Sequence, residues 1–494
     1  MRHLTTVFTA AAWSILIGAA GAQQVVTTPR PIPLTRPEMK QLLEELKARP
    51  VRIPLPELSP EEAARLGERQ ASYEMRLRET YLPPGTPSVV YANLLPPPGG
   101  GAAAASAPRL RDFTRNADEN MSLSYAFKTR LFWIVSRTNN CHYCLGHQEQ
   151  KLSAVGMTDD QIAALDFDWW QYPPAEQAAF AYARKLTWEP HALSDGDLEA
   201  LRQHYTDLQI LEMTLSIAWN NAINRWKEGL GIPQSAHGEM FFRNKSPDIP
   251  PDRPLPIESF LTPTSEAYQS SRSQVAAVGA DARRASFVTS GVNTRPPLEP
   301  PEAVRSELAQ AARRTPRLPL VDEETTRRRL GPAAPDGPLP LWMRLLAHFP
   351  NDGLGRVAAL TEIDRPSGPL SPLEKARVAW IVARQDRAWY ATGLVYQRLR
   401  ALGESDERIF ALDGDGSGFS EEEQAMFRFA RQLAMTPIAL TDEEFADLLR
   451  RRGPEVVVPL VNYVVGRVYF DRVTEAAGLP CEPSAAGTAA TTSP

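Results

Sequence analysis

The stretch Asn139-Asn140-Cys141-His142-Tyr143-Cys144-Leu145-Gly146-His147 gathers two of the three cysteines and two of the seven histidines of the chain. Spacings of three align Cys141, Cys144 and His147 along one face of a helix. Asn139 and Asn140 break the apolar run before them and suit a cap, which leaves Cys141 near a helix N-terminus. Unpaired N–H groups there carry partial positive charge and lower a thiol's pKa. Two neighbouring sulfurs can close a strained, reducible disulfide, and His147 can take or return a thiol proton. Two other readings use the same atoms. One is a structural disulfide. The other is zinc held by both thiols with His142 or His147, although a fourth ligand at usual spacing is missing. Covalent haem is excluded, because Leu145 rather than His follows Cys144.

These residues stand on a helical unit that is written twice. An offset of 247 superimposes residues 123–233 on 370–480 without a gap. Trp133-Ile134-Val135 and Arg137 return as Trp380-Ile381-Val382 and Arg384. Tyr143, Gly146, Leu152 and Gly156 return as Tyr390, Gly393, Leu399 and Gly403, and Glu176-Gln177 and Phe180 as Glu423-Gln424 and Phe427. Ser194 and Thr441 each open a helix after a loop. A fainter match of 52–67 with 317–331 extends the duplication to the lead-in helices. Within this frame Cys141, Cys144 and His147 become Ala388, Ala391 and Leu394. The scaffold keeps its pattern without them, so the three read as a functional set.

The rest of the chain organises around the two copies. Its 494 residues exceed one domain at roughly 150 residues each, and 45 prolines predict long linking stretches. Lys+Arg 54 against Asp+Glu 59 leaves a net charge of −5, with no basic surplus for nucleic acid. Arg2 and His3, an apolar run from Leu4 to Ala20 and Ala20-Gly21-Ala22 before Gln23 have the order of a secretory signal over 1–22. That predicts a secreted or periplasmic chain with no membrane span after cleavage. Residues 23–105 are proline-rich with short helices, one begun near Pro37 and one capped by Ser59 with Glu62. The expected domains are 106–246 with the cysteine pair and 341–483 without it. Residues 247–340 read as flexible linker and lead-in helices, and 484–494 as a disordered tail.

The segment RLFWIVSRTNNCHYCLGHQ resembles the carboxymuconolactone decarboxylase / AhpD-like superfamily, whose signature is Cys-x-x-Cys with a nearby His after an Asn-containing break. The resemblance covers residues 120–235, and 345–480 in degenerate form. It implies an all-α fold of two tandem AhpD-like domains. It also implies a hydroperoxide-reducing thiol oxidoreductase without cofactor, in which Cys144 attacks, Cys141 resolves and His147 assists proton transfer. The substrate would be a small-molecule hydroperoxide and the partner an unknown thiol reductant. Thr129 stands where the family usually has a glutamate, and Gln148 where its histidine often lies, so His142 and Glu149 are candidates for the proton relay. A duplicated chain of this kind can meet itself as an intrachain pseudo-dimer. The alternative is a non-catalytic helical interaction or ligand-binding protein whose cysteine pair is vestigial or structural.

Other features have plainer readings. Asp413-Gly414-Asp415-Gly416-Ser417-Gly418 imitates a calcium loop, but its twelfth position is Gln424 where a bidentate Glu is needed. Ser420 with Glu423 makes a capping box there instead. Trp169, Trp170, Trp188, Trp219 and Trp226 suit core packing better than a ligand pocket. Cys481 reads as a lone thiol near the surface.

Overall fold

Helices begin in this chain wherever a capping side chain meets an apolar stripe. The computed structural model describes residues 32–82, 86, 88–90, 118–233, 259–269 and 297–482. The signal-like residues 1–22, the Gly/Ala-rich stretch 94–108 and the tail 484–494 lie outside them. Three helices precede the first repeat: α1 (Arg36–Glu45), α2 (Pro60–Ala71) and α3 (Tyr73–Tyr81). The first repeat holds α4 (Tyr125–Asn139), α5 (His142–Ala154), α6 (Asp159–Ala164), α7 (Pro174–Trp188), α8 (Asp195–Arg202) and α9 (Asp207–Leu230). Between the repeats lie α10 (Glu266–Gln269), α11 (Pro301–Ala311), α12 (Glu323–Leu330), α13 (Leu341–Leu346) and α14 (Asp352–Ile363). The second repeat holds α15 (Pro372–Asp386), α16 (Trp389–Ala401), α17 (Asp406–Ala411), α18 (Glu421–Ala434), α19 (Asp442–Arg452) and α20 (Pro454–Ala476). The fold is all-α, with no strand among the described residues. No described helix is long and apolar enough to cross a membrane.

Helix boundaries follow the repeat. The limits of α4, α5 and α6 become those of α15, α16 and α17 on adding 247. Caps recur with them. Ser194 and Thr441 both make capping boxes, as does Ser420 with Glu423. Asn140 and Arg387 both take the left-handed conformation, at φ 58° and 51°, to end α4 and α15. Asp166 and Asp413 receive the equivalent Arg137 and Arg384 Nε at 3.0 and 2.9 Å. That aspartate opens the calcium-like loop, and its carboxylate is committed to the arginine and to the Trp380 indole.

The two repeats share one hydrophobic core, which runs from Met39 through to Leu479. The most extensive helix packing in the molecule sets α9 against α20, which are equivalent helices of the two copies. Contacts across this seam come in answering pairs. Arg225 donates to the Ala434 carbonyl at 3.0 Å, and its equivalent Arg472 donates to the Thr187 carbonyl at 3.1 Å. Thr187 and Ala434 are themselves equivalent positions, each at the C-terminal end of its helix. Arg52 reaches Asp442 and the Glu228 carbonyl, at 2.9 and 2.7 Å. Arg317 reaches Asp195 and the Glu475 carbonyl, at 2.8 and 3.1 Å. Gly231 and Gly478 have φ +61° and +58°, and a Cβ on either would fall within 3.0 Å of the arginine stem laid over it.

The stretch read as flexible linker is built into the fold wherever it is described. Phe260 enters the core, Lys40 Nζ donates to the Thr262 carbonyl at 2.6 Å, and Thr264 donates to Asp159 at 2.6 Å. The helix α11 packs on α16. Proline and serine report where helices stop, and such segments still pack when apolar anchors recur among them.

Arg225 is fully buried and donates to Asn139, Asn221, Ala434, Met435 and Thr436. Removing the guanidinium leaves buried acceptors unsatisfied, at about 1–3 kcal/mol for each. Arg225→Met should therefore lower unfolding free energy in urea by about 3 kcal/mol or more. Arg450→Met, which deletes an exposed ion pair with Asp447, should cost less than about 1 kcal/mol.

Candidate functional site

The cysteine pair lies at the junction of α4 and α5. Asn140 closes α4, and the next residue, Cys141, is the N-cap of α5. Its sulfur accepts the Cys144 backbone N–H at 3.4 Å, the role an oxygen plays in an ordinary cap. Ala388 holds the same backbone shape at the start of α16, at φ −80° and ψ 91° against −88° and 94° for Cys141. The thiols are therefore mounted on a turn that does not require them. No disulfide joins the two sulfurs in this structure, and the two residues are buried, at 0% and 2% exposure.

Burial reverses one expectation. A helix N-cap by itself lowers a thiol pKa. Desolvation instead pushes Cys141 well above its ordinary value, with the neighbouring Cys144 and the Glu228 carboxylate acting in the same direction. The single N–H donated by Cys144 opposes this and is outweighed.

His147 lies one turn beyond Tyr143 and stacks on its ring at 4.4 Å. Its Nδ1 is 3.0 Å from the Tyr143 carbonyl. A carbonyl only accepts, so Nδ1 carries the proton and the neutral ring's lone pair is on Nε2. Burial, with Lys151 and Lys227 nearby, lowers its pKa to about 3. The ring is thus neutral at physiological pH, and so low a pKa makes it a weak base there.

The other sequence candidates have structural partners. His142 Nε2 meets Asn140 Oδ1 at 3.0 Å. Glu149 is clasped by both Arg36 terminal nitrogens at 2.7 Å and also accepts the Trp133 indole N–H. The Thr129 hydroxyl donates back to the Tyr125 carbonyl at 2.8 Å, and the Gln148 amide donates to the Cys144 carbonyl at 3.0 Å. Among the described residues no group of three or more His, Cys, Asp and Glu is arranged to hold a metal ion. Cys481 is half-buried rather than superficial, with its thiol donating to the Trp389 carbonyl at 3.3 Å and burial raising its pKa to about 11. Trp188 and Trp226 are buried, whereas Trp170 is exposed.

Several neighbours of the pair escaped the sequence reading because they come from distant parts of the chain. Glu228 on α9 is paired with Arg49, at 3.2 Å. Glu74 on α3 holds Lys227 by an ion pair and accepts the Trp226 indole N–H at 2.7 Å. Asn139 donates to both Asn221 and Asn224 at 2.9 Å. A signal for Trp226 and Lys227 was present in the repeat alignment, where they give way to Val473 and Thr474. No protein-family model matches this chain, and no curated protein sequence matches it.

The His147 shift fixes a pH dependence. Its pKa in the fold lies below the unfolded value of about 6.5, so the unfolded chain takes up the proton first as pH falls. The stabilisation is whole above about pH 6.5 and is lost progressively down to about pH 3. His147→Leu, which installs the residue found at the equivalent position 394, should flatten stability against pH in that window, as read by urea unfolding.

Proposed function

We propose that the first repeat is a thiol–disulfide oxidoreductase site of the AhpD-like kind, which reduces small hydroperoxides, and that the second repeat is its structural mate. The observation that carries this reading is the Cys141–Cys144 pair on a helix-opening turn whose twin keeps the same backbone with alanines. A structural need for the thiols would have shown itself in both copies. The signal-like N-terminus supports placing this chemistry outside the cytoplasm.

The reaction needs no cofactor. The Cys144 thiolate attacks the terminal peroxide oxygen, the O–O bond breaks, and the leaving alkoxide takes a proton to become an alcohol. Cys144 is left as a sulfenic acid. The Cys141 sulfur then displaces hydroxide from it, forming the disulfide, and water departs with the Cys141 proton. Nε2 of His147, whose Nδ1 proton is given to the Tyr143 carbonyl, carries the lone pair that would relay that proton. One external dithiol per turnover returns two electrons and two protons. Burial of the pair restricts the oxidant to small molecules.

A second reading draws on that same burial. A thiol with no exposed surface and a raised pKa is also what an inert core cysteine has, and the module would then bind rather than react. Thiol titration separates the two. Treatment with an organic hydroperoxide should remove two thiols per wild-type chain and leave the third, Cys481, free. Cys144→Ser should consume no peroxide while keeping its helical circular dichroism, since Ala391 is accommodated at the same place in the second repeat. A wild-type chain that retains all three thiols would overturn the oxidoreductase reading in favour of the inert one.

A further inference from the structure

The two repeats differ at a second set of residues, beside the thiols but outside the redox chemistry just described. On α9, Trp226 and Lys227 fill positions held in α20 by Val473 and Thr474. One carboxylate engages both: Glu74 of α3 accepts the Trp226 indole and is ion-paired with Lys227. Held so, the Lys227 ammonium is 4.4 Å from the centre of the Tyr143 ring. The other ring contact of Tyr143 is His147, and its chain neighbour is Cys144. Tyr143 survives in the second repeat as Tyr390, whose hydroxyl turns to Glu482 instead. The thiols, the imidazole and this cation are thus present together in one copy and missing together from the other.

We propose that Lys227, fixed by Glu74, is a positioning residue for the redox site: the cation that makes a thiolate tenable within the buried Cys141–Cys144 pair. The proposal rests on the redox reading given above. A thiolate withdrawn from water needs a nearby positive charge, and the helix N-terminus alone does not supply enough of it, because Cys141 is pushed up. Glu228 acts on Cys141 and is already paired to Arg49, while Lys227 and Glu74 act on the Tyr143 hydroxyl, as Cys144 does, and Lys151, Lys227 and Glu74 act on His147. Of the cations, Lys151 has a basic counterpart, Arg398, in the copy without thiols, so its charge does not track the chemistry. Lys227 does.

The ion pair itself allows a test by sign. If it only braces α3 against α9, removing either member should disturb the thiols in the same direction. If Lys227 acts by its charge, the two removals should act oppositely, because deleting Glu74 leaves the cation uncompensated. The full chain carrying Cys481→Ser would be titrated by thiolate ultraviolet absorbance, with the Cys141→Ser/Cys144→Ser variant as blank. Lys227→Met should move the thiolate titration up, with about tenfold less thiolate at a given pH below it. Glu74→Gln should move it down, and Lys227→Arg should stay near wild type. Shifts of the same sign in Lys227→Met and Glu74→Gln, or no shift with native circular dichroism, would overturn the proposal. Should Lys227→Met fail to fold, the opposed behaviour of Glu74→Gln and Lys227→Gln decides it. The hydroperoxide assay is independent: a pair that titrates as described but resists oxidation removes the redox reading and leaves the electrostatic role of Lys227 measured.

Discussion

Arg225 and Arg472 have no exposed surface, and each ends on a backbone carbonyl at the C-terminus of a helix in the other repeat. Two debts are met by one contact. The last carbonyls of an α-helix have no partner within it, and a buried guanidinium costs several kcal/mol unless its donors are satisfied. Helix α18 therefore depends on an arginine from α9, and α7 on an arginine from α20. Arg52 and Arg317 repeat the device at the ends of α9 and α20, each stretched over a glycine that leaves it room. A single repeat would expose an apolar helix face and leave helix ends uncapped, so the copies complete one another.

The same seam forms the floor beneath the cysteine pair, and there the symmetry is broken in charge. Where the second repeat buries Asp386 against Arg472, the first has Asn139, which donates to Asn221 and Asn224. Asp471 of the second repeat likewise corresponds to Asn224. Two carboxylates of the second repeat thus stand where the first has amides: Asn139, two residues before Cys141, and Asn224, which is hydrogen-bonded to Asn139. Burial pushes Asp471 well above the ordinary carboxylate range, with Asp386 acting in the same direction. Amides keep the hydrogen-bonded network without adding charge of the sign a thiolate would bear. The exchange is not confined to carboxylates, since Asn140 and Asn220 of the first repeat also stand where the second has Arg387 and Arg467.

Much of this was legible along the chain. The repeat was visible because caps, glycines and core aromatics recur at a fixed offset, and those residue types determine where helices start, stop and pack. The helical mounting of Cys141, Cys144 and His147 followed from local spacing. The thiol pKa did not, because a cap's partial charge is a local property and desolvation is a tertiary one. Glu149 shows the same limit. Its place on α5 suggested a proton relay, yet Arg36, more than a hundred residues earlier in the chain, clasps it. The packing of 259–269 was hidden by composition, which records the absence of helix and not the absence of contacts.

The lead-in segments show how a shared scaffold becomes a specific site. Arg49 and Arg314 stand in equivalent places and bind equivalent carboxylates, Glu228 and Glu475, so this pair belongs to the common architecture. In the second repeat Glu475 also accepts the Trp389 backbone N–H, the donor equivalent to that of His142 beside Cys141. A carboxylate at this position is therefore inherited, and its charge acts against a thiolate. Removing it would strip Arg49 of its carboxylate partner, a pairing that both copies keep. The cation proposed to offset it, Lys227 held by Glu74 of α3, stands where the second repeat has Thr474 and leaves that framework intact. Reactivity on a duplicated scaffold is thus constrained by the contacts both copies need, and changes are confined to positions those contacts leave open.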